Sequence, residues 1–254
     1  MDLGLTGRKV IINGGAHGLG LAALKIFAAE GADVAFFSRD PAKVEKAIAA
    51  ISDCGTGTVH GTAFDMTDNA AGYRAWLADA VEALGGCDIF IHTASSSGQG
   101  ATGDWQRSFD MDVMGAVHAV DVLTPALVAS GSGSIVFMSS TAAVETFIMP
   151  QAFNALKAAL ITYGSQLSQA LAPQGIRVNT VSPGAVYYPG GNWEAIKAAV
   201  PQLFEGTLAQ MPMGRFGEPE EVARAIVFVA SPACPYLTGA NLVVDGGFTK
   251  RVQF

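Results

Sequence analysis

The chain has 254 residues, of which 50% are hydrophobic and 15% charged, and its formal net charge is −7. This length and composition predict one large α/β domain, because a sheet covered by helices on both faces routinely reaches this size. The negative charge argues against nucleic acid as a partner, since phosphate backbones are bound by clusters of Lys and Arg. We see no secretory signal and no apolar run long enough to span a bilayer, so we expect a cytoplasmic protein without a membrane partner.

The cysteines Cys54, Cys87 and Cys234 are few, odd in number and without the spacing of metal ligands. This usage predicts reduced thiols rather than disulfides, and no metal site. None of them lies in a recognisable nucleophile motif, so we do not assign a catalytic cysteine.

Short apolar runs alternate with longer amphipathic ones, which is typical of βαβ units and a mainly parallel sheet. The predicted strands are Lys9–Ile12, Asp33–Phe37, Thr58–Phe64, Asp88–Thr93, Gly133–Met138, Arg177–Val181 and Asn241–Val244. Helices are expected to begin near Leu19, Pro41, Asn69, Trp105, Gln151 and Pro219. Asp40 and Pro41 form a strong helix start, because aspartate caps a helix and proline fits its first position. The pattern predicts a single doubly wound domain over residues 1–254, with a seven-stranded sheet and helices on both faces.

Residues 185–217 interrupt this alternation between the sixth and seventh strands. They are rich in glycine, proline and aromatic residues. Because irregular segments of this length in compact domains usually serve as lids or binding loops, we expect an irregular substrate loop here.

A glycine-rich turn, residues 13–20 (NGGAHGLG), joins the first predicted strand to the first predicted helix. Glycines let the backbone turn tightly and approach a pyrophosphate, and a helix N-terminus offers free N–H groups and partial positive charge. The order of strand, turn and helix predicts a Rossmann-type dinucleotide site that includes Gly14, His17, Gly18, Leu19 and Gly20.

The end of the second strand indicates which dinucleotide binds. An acidic residue there would bind the ribose 2′-hydroxyl and repel a 2′-phosphate, whereas this chain has Ser38 and Arg39. A guanidinium suits bidentate binding of phosphate, and His17 could add a second donor. We therefore favour NADP(H) over NAD(H), although Asp40 adds a negative charge nearby.

Ordered motifs extend over essentially the whole chain. They are Gly14-x-x-x-Gly18-x-Gly20, Asp65-Met66, residues 133–140 (GSIVFMSS), 157–160 (KAAL), 176–184 (IRVNTVSPG), 237–241 (LTGAN) and 244–247 (VDGG). With these motifs the chain resembles the short-chain dehydrogenase/reductase family. The resemblance implies that Asp65 and Met66 hold the adenine, and that Pro183, Gly184 and Val186 hold the nicotinamide carboxamide.

The resemblance also implies a catalytic set of Asn, Ser, Tyr and Lys. In the family the Tyr hydroxyl protonates the carbonyl oxygen as hydride arrives, and Lys lowers the pKa of that hydroxyl and binds the nicotinamide ribose. Ser orients the substrate oxygen, and Asn holds a water in the proton relay. Ser140 and Lys157 match, but the Tyr position is Phe153 and the Asn position is Asp112.

Two further positions depart from the family pattern. The usual Asn-Asn-Ala-Gly after the fourth strand reads His92-Thr93-Ala94-Ser95, of which Thr93, Ala94 and Ser95 are expected to line the cofactor site. The position at which relatives often carry a phosphate-binding threonine is Tyr188.

Phe153 is the most consequential change, because a phenyl ring has no proton to give and general acid–base catalysis is commonly worth ~10²–10⁴-fold. Four explanations stay open. Phe153 is an engineered substitution of Tyr; Asp112 supplies the proton through water, if burial raises its pKa; the substrate needs no acid; or the protein binds cofactor without turnover. Equally, Asp112 could be a buried carboxylate satisfied by backbone N–H groups.

Within the segment 185–217 we expect Tyr187, Tyr188, Trp193 and Phe204 to shape the substrate pocket together with Ser140 and Phe153. An apolar, aromatic wall favours a small hydrophobic substrate. We therefore expect interconversion of a carbonyl and an alcohol, with reduction of a polarised C=C or C=N bond and an inactive NADP(H)-binding homologue as alternatives. The resemblance further implies a homotetramer that pairs through helices at about Trp105–Ala129 and Gln151–Ala172.

Overall fold

The computed structural model describes residues 1–96, 104–146 and 150–252. These residues contain a seven-stranded parallel sheet with the order β3-β2-β1-β4-β5-β6-β7. Its strands are β1 (Lys9–Asn13), β2 (Asp33–Ser38), β3 (Val59–Ala63), β4 (Ile89–His92), β5 (Ser134–Met138), β6 (Arg177–Pro183) and β7 (Asn241–Val244). The predicted doubly wound architecture is confirmed, and each predicted strand agrees with the observed one to within two residues at either end.

Helices connect the strands at the predicted places. They are α1 (Gly18–Ala29), α2 (Pro41–Ser52), α3 (Ala70–Leu84), α4 (Trp105–Ser108), α5 (Gly115–Ala129), α6 (Ala152–Leu171), α7 (Asn192–Ala199), α8 (Pro201–Leu208) and α9 (Pro219–Ala230). Asp40 caps α2 as expected, because its carboxylate accepts hydrogen bonds from the N–H groups of Ala42 and Lys43 at 2.9 and 3.3 Å. Helix α3 begins after Asn69, whose side chain accepts the N–H of Gly72.

The core has two halves, one on each face of the sheet. Successive side chains of a strand point to opposite faces, so Val10 and Ile12 pack into one half and Ile11 into the other. Helices α1, α2 and α9 cover the first face, and α3, α5 and α6 cover the second. Strands buried on both faces explain the nearly continuous apolar runs in the sequence.

The order of the strands reverses between β1 and β4, which are neighbours although two other strands lie between them in sequence. In open α/β sheets such a reversal leaves a crevice at the carboxyl ends of the strands. Asn13 and His92 end these two strands and are paired in register. The fold therefore places the glycine turn and the residues after β4 at the same edge.

Two segments differ from the prediction. Residues 185–217 are not irregular throughout, since they contain α7 and α8, and Pro201 occupies the first turn of the latter. The expected continuous helix from Trp105 to Ala129 is interrupted by a π-helical turn, Phe109–Met114, between α4 and α5. Such a turn widens the helix locally and is frequent at functional sites. It carries Asp112.

The span Trp105–Ala129 is long and apolar enough to cross a membrane by length and composition alone. Of its most apolar window, 44% is buried inside the protein, which is also what the core helix of a folded domain shows.

Candidate active site

A cavity of about 1090 Å³ opens at the carboxyl ends of the strands. It brings together nearly all the residues that the sequence assigned to the cofactor, listed here in chain order: Gly14, His17, Leu19, Gly20, Ser38, Arg39, Asp65, Met66, Thr93, Ala94, Ser95, Lys157, Pro183, Gly184 and Val186. Ser140 and Phe153 line the same cavity. The segments therefore converge as the predicted site requires.

The glycine turn has the geometry of a close approach to a ligand. Gly14 and Gly18 have φ angles of +83° and +54°, which side chains rarely tolerate. A Cβ on Gly20 would overlap the carbonyl oxygen of Gly14. Helix α1 begins at Gly18, and no side chain of the described residues caps its first N–H groups. The residues present fit a pyrophosphate held by backbone N–H groups.

Gly18 lies against Tyr188. A Cβ on Gly18 would lie 2.7 Å from the Cζ of Tyr188 and 2.8 Å from its hydroxyl oxygen. The phenol therefore stands at the N-terminus of α1, and burial raises its pKa, which keeps it a hydrogen-bond donor. Tyr188 was predicted to shape the substrate pocket and stands where the resemblance implies a phosphate-binding threonine; it lines the cavity beside the glycine turn.

Three basic side chains, called the basic group below, lie near the end of β2: His17, Arg39 and Lys43. The pKa of His17 is lowered by partial burial and then by the positive charges of Lys43 and Arg39, so the three side chains lie near one another. Lys43 also lines the cavity and was not among the predicted site residues. A signal was present, because Lys43 follows the cap of α2 by three residues and so lies on the first turn of that helix, beside the end of β2.

Lys157 and Asp112 form a buried ion pair. The Nζ atom of Lys157 lies 2.9 Å from Oδ1 of Asp112, and it donates a hydrogen bond of 2.8 Å to the carbonyl oxygen of Met138. The side chains are only 3% and 1% exposed. Oδ2 of Asp112 accepts hydrogen bonds from the N–H and the hydroxyl of Ser96, at 3.1 and 3.0 Å.

The condition under which Asp112 could supply a proton, a pKa raised by burial, is not met. Burial does act in that direction, but the ammonium of Lys157, together with hydrogen bonds from Ser96 and Ser95, outweighs it and lowers the pKa. The carboxylate is thereby fixed as an anion, so the structure argues against Asp112 as a proton donor. Asp112 is also absent from the described residues that line the cavity.

A second buried network lies behind this pair. Nε2 of His92 lies 2.8 Å from the backbone oxygen of Asp112, and Nδ1 lies 2.7 Å from Nδ2 of Asn13. Asn13 also donates to the hydroxyl of Tyr73, and its Oδ1 accepts the N–H of Thr93 at 2.7 Å. Only neutral His92 with a proton on Nε2 satisfies all these contacts. Burial, followed by the charge of Lys157, accordingly lowers the pKa of His92 to about 4.

Ser140 and Phe153 line the part of the cavity that lies after β5 and along α6. Oγ of Ser140 accepts the N–H of Ala142 at 3.2 Å, and the hydroxyl proton can be donated to a ligand. The ring centroid of Phe153 lies 5.7 Å from Nζ of Lys157, within the range of a cation–π contact. The hydroxyl of Ser140 can therefore bind a substrate oxygen as a neutral hydrogen-bond donor.

The aromatic residues of segment 185–217 divide into two groups. Trp193 lines the cavity, as expected. Tyr187 and Phe204 are absent from the described lining residues and pack instead on Phe216, with Tyr187 and Phe204 rings 5.8 Å apart. Trp193 packs in turn on Phe204 and Phe216, with ring centroids 6.4 and 4.9 Å apart. Phe248, beyond the last strand, lines the cavity and was missed because nothing in the local pattern marks it.

No group of His, Cys, Asp and Glu among the described residues could hold a metal ion. The parallel sheet, the glycine turn after β1 and the Ser140–Lys157 pair in one cavity define the class of dinucleotide-binding α/β oxidoreductases. A family model described as Enoyl-(Acyl carrier protein) reductase matches residues 14–249. The chain belongs to the short-chain dehydrogenase/reductase family.

Among its relatives, isoepoxydon dehydrogenase of Penicillium expansum is 37% identical over 100% of this chain and 99% of its own length. A 2,5-dichloro-2,5-cyclohexadiene-1,4-diol dehydrogenase of Sphingobium indicum is 32% identical over 98% of both chains. The solved structure of L-sorbose reductase from Gluconobacter frateurii, in complex with NADPH and L-sorbose, is similar with a TM-score of 0.87. It is 29% identical and covers 99% of this chain and 100% of that one.

Proposed function

We propose that the protein is an NADP(H)-dependent oxidoreductase that interconverts a carbonyl and an alcohol on a small hydrophobic molecule. One observation carries this proposal: a single cavity contains the glycine turn, the basic group after β2, and the Ser140–Lys157 pair. A bound dinucleotide would supply or accept the hydride, and the proton of the hydroxyl group would be exchanged with water, because Phe153 has no proton to give and Asp112 is ion-paired. The chain's own residues hold the pyrophosphate at the N-terminus of α1, the ribose at Lys157, and the substrate oxygen at Ser140.

The preference for NADP(H) rests on charge at the end of β2. Arg39, Lys43 and His17 lie close together there, and a 2′-phosphate is the group that such a cluster would attract. Asp40 does not cancel this attraction, because its carboxylate is bound to the N-terminus of α2. The similar L-sorbose reductase structure contains NADPH, which agrees with this preference.

The test is a titration of NADPH and NADH into the protein. We expect tighter binding of NADPH, and we expect Arg39→Ala to weaken NADPH selectively by roughly tenfold, since a charge-assisted hydrogen bond is worth about 1.5–3 kcal/mol. Arg224→Ala, which removes an exposed arginine on α9, is the matched control. Equal affinities of the Arg39 variant and the wild type would refute the assignment.

The substrate proposal rests on the aromatic side chains of Phe153 and Trp193 in the cavity wall, which also carries the neutral polar residues Gln151, Asn154 and Asn192. The name of one relative points to a ring compound, since it is a cyclohexadiene-diol dehydrogenase. L-sorbose reductase acts on a sugar, so the fold alone does not select the substrate.

A second candidate function is reduction of a polarised C=C or C=N bond, and Phe153 is the observation that favours it. Without a phenol, and with Asp112 ion-paired, the proton would come from water. Comparing Phe153→Tyr with the wild type on ketones, enones and imines decides between the two. A gain of ~10²–10⁴-fold on ketones alone would indicate a site that lacks only its acid. No gain on ketones, with turnover of enones or imines, would support the second candidate, and no turnover by either form would indicate an inactive homologue.

Assembly and location also stay proposals. A homotetramer is supported by exposed apolar side chains on the helices expected to pair, among them Trp105, Phe109 and Val128, which are 55%, 39% and 38% exposed. Light scattering that gives a monomer would contradict it. A cytoplasmic location rests only on the sequence expectations above.

A further inference from the structure

One wall of the cavity comes from the segment after the last strand. Residues 245–250, here called the C-terminal strap, follow β7 directly. Within the strap, Phe248 lines the cavity and is half-buried against the aromatic cluster of Trp193, Phe204 and Phe216. The proposed function assigns no role to this ring.

Asp245 fixes the conformation of the strap. Its Oδ1 accepts the N–H of Gly247 at 2.9 Å, and its Oδ2 accepts the N–H of Thr249 at 2.8 Å. Its backbone oxygen also accepts the N–H of Phe248 at 3.2 Å. These bonds close a tight turn on both sides of Phe248, so the aromatic ring is held in place by the aspartate rather than by regular secondary structure.

The strap is anchored to three other parts of the molecule. Asp245 packs so closely on Gly184 that a Cβ at the glycine would lie 2.6 Å from the Cβ of the aspartate. Gly246 faces Met213, whose sulfur would lie 3.2 Å from an added Cβ. At the far end the N–H of Lys250 donates to Oε2 of Glu145 at 3.3 Å. The strap thus connects the turn after β6 with the loop after β5.

Phe248 adds an aromatic side chain to a cavity lining that also contains Phe153 and Trp193, and it packs on the cluster to which Trp193 belongs. Aromatic side chains bind the faces and edges of flat apolar rings, and they leave the hydroxyl groups of an extended polyol without partners. The described titratable groups of the cavity, apart from Lys157 and Tyr188, lie near β2 and β3. In the sheet, β2 and β3 lie three and four interstrand spacings from β5, a distance of about 14–19 Å.

We propose that Phe248 is a specificity-determining residue that selects compact ring carbonyls and ring alcohols, and that Asp245 is the positioning residue that holds it in the cavity. This inference rests on the proposed function for the identity of the reacting group. The ring of the substrate packs on Phe248 and Trp193 while its oxygen is bound by Ser140.

The test measures binding, so that it does not depend on turnover. Calorimetry in the presence of NADP⁺ measures the binding of 1-tetralone, a fused-ring ketone, and compares it with the binding of L-sorbose. We expect the wild type to prefer 1-tetralone, and Phe248→Ala to bind it about tenfold more weakly because an aromatic contact is lost. Phe248→Leu, which keeps an apolar side chain, serves if the alanine variant is poorly folded and is expected to weaken binding in the same direction. Phe228→Ala, at an exposed phenylalanine on α9, is the matched control.

Asp245→Ala tests the positioning role through a double-mutant cycle. If Asp245 acts through Phe248, the single variants weaken binding of 1-tetralone similarly and the double variant is no weaker than either. Additive losses would overturn the positioning role. A Phe248 variant that binds 1-tetralone like the wild type, or a wild type that prefers L-sorbose, would overturn the proposal. Failure of NADPH to bind in its own titration would instead refute the proposed function, and 1-tetralone binding without dinucleotide would then still test the strap.

Discussion

The ion pair between Lys157 and Asp112 makes a strong prediction about stability. Both charges are at least 97% buried, and the pair is held by Ser96 on one side and by the carbonyl of Met138 on the other. Asp112→Asn keeps the shape of the side chain but removes its charge. The amide must then present N–H to either the ammonium or the N–H of Ser96, so one contact becomes repulsive.

Removing one partner of a buried pair typically costs about 3–5 kcal/mol, because the remaining charge is left uncompensated. For a domain of this size that corresponds to a fall in melting temperature of roughly 6–20 °C. Urea unfolding at pH 7 and fixed protein concentration measures the free energy directly. Asp121→Asn is the matched control, because its pair with Arg74 is 57% and 43% exposed and an exposed pair is worth about 0–1 kcal/mol.

The sign of the pH dependence follows from the lowered pKa of Asp112. A carboxyl whose pKa is lower in the folded state stabilises the fold above its usual value of 3.8 and loses that contribution as the pH falls through the folded pKa. The difference between wild type and Asp112→Asn should therefore be constant from pH 5 to 8 and shrink below about pH 3.8. Equal losses in the Asp112 and Asp121 variants, or a difference that grows in acid, would refute the buried pair.

Two further predictions concern the glycine turn and the network behind it. Gly20→Ala should lower NADPH affinity at least about tenfold and destabilise the protein by about 1–3 kcal/mol, because the new Cβ overlaps the carbonyl oxygen of Gly14. The control is Gly206→Ala on α8, which should be neutral or stabilising because a Cβ there meets open space. Calorimetry and urea unfolding measure both, and an unchanged Gly20 variant would contradict the close packing of the turn. Because the pKa of His92 is lowered from 6.5 to about 4, the unfolded chain binds more protons in that interval, so the wild type should lose up to about 3 kcal/mol between pH 6.5 and 4. His92→Asn should lose measurably less, and identical pH profiles would show that His92 is not buried in neutral form.

The fold could be predicted because its signals are local. Apolar runs mark the central strands β1, β2, β4 and β5, which are buried on both faces. Asp40 with Pro41 marks a helix start without reference to the rest of the chain. The π-helical turn and the helices α7 and α8 were not predicted. They depend on packing against distant residues, such as Trp193 and Phe204 on Phe216, which local patterns do not report.

For the candidate site, the sequence predicted which segments meet, but not the contacts between individual side chains. Motif residues converge on the cavity because parallel strands bring their carboxyl ends to one edge. The sequence could not show the protonation state of a buried side chain. The direction of the pKa shift of Asp112 was left open, because nothing in the sequence shows the 2.9 Å contact with the ammonium of Lys157 that lowers it. Phe248 was missed because its position depends on the turn that Asp245 closes after the last strand.

The ion pair bears on what phenylalanine means at position 153, where the resemblance implies tyrosine. The resemblance implies a lysine that binds ribose and lowers the pKa of a phenol, and at Phe153 there is no phenol to act on. Lys157 nevertheless remains buried and charged, because Asp112 provides the counter-ion at the position of the family's asparagine. If Lys157 lost its proton to a substrate, it would leave Asp112 as an unpaired buried carboxylate, which is costly. The pair therefore keeps an ammonium at the wall of the cavity, where the proposed function assigns it to the ribose, and under that proposal cofactor binding is separable from proton donation.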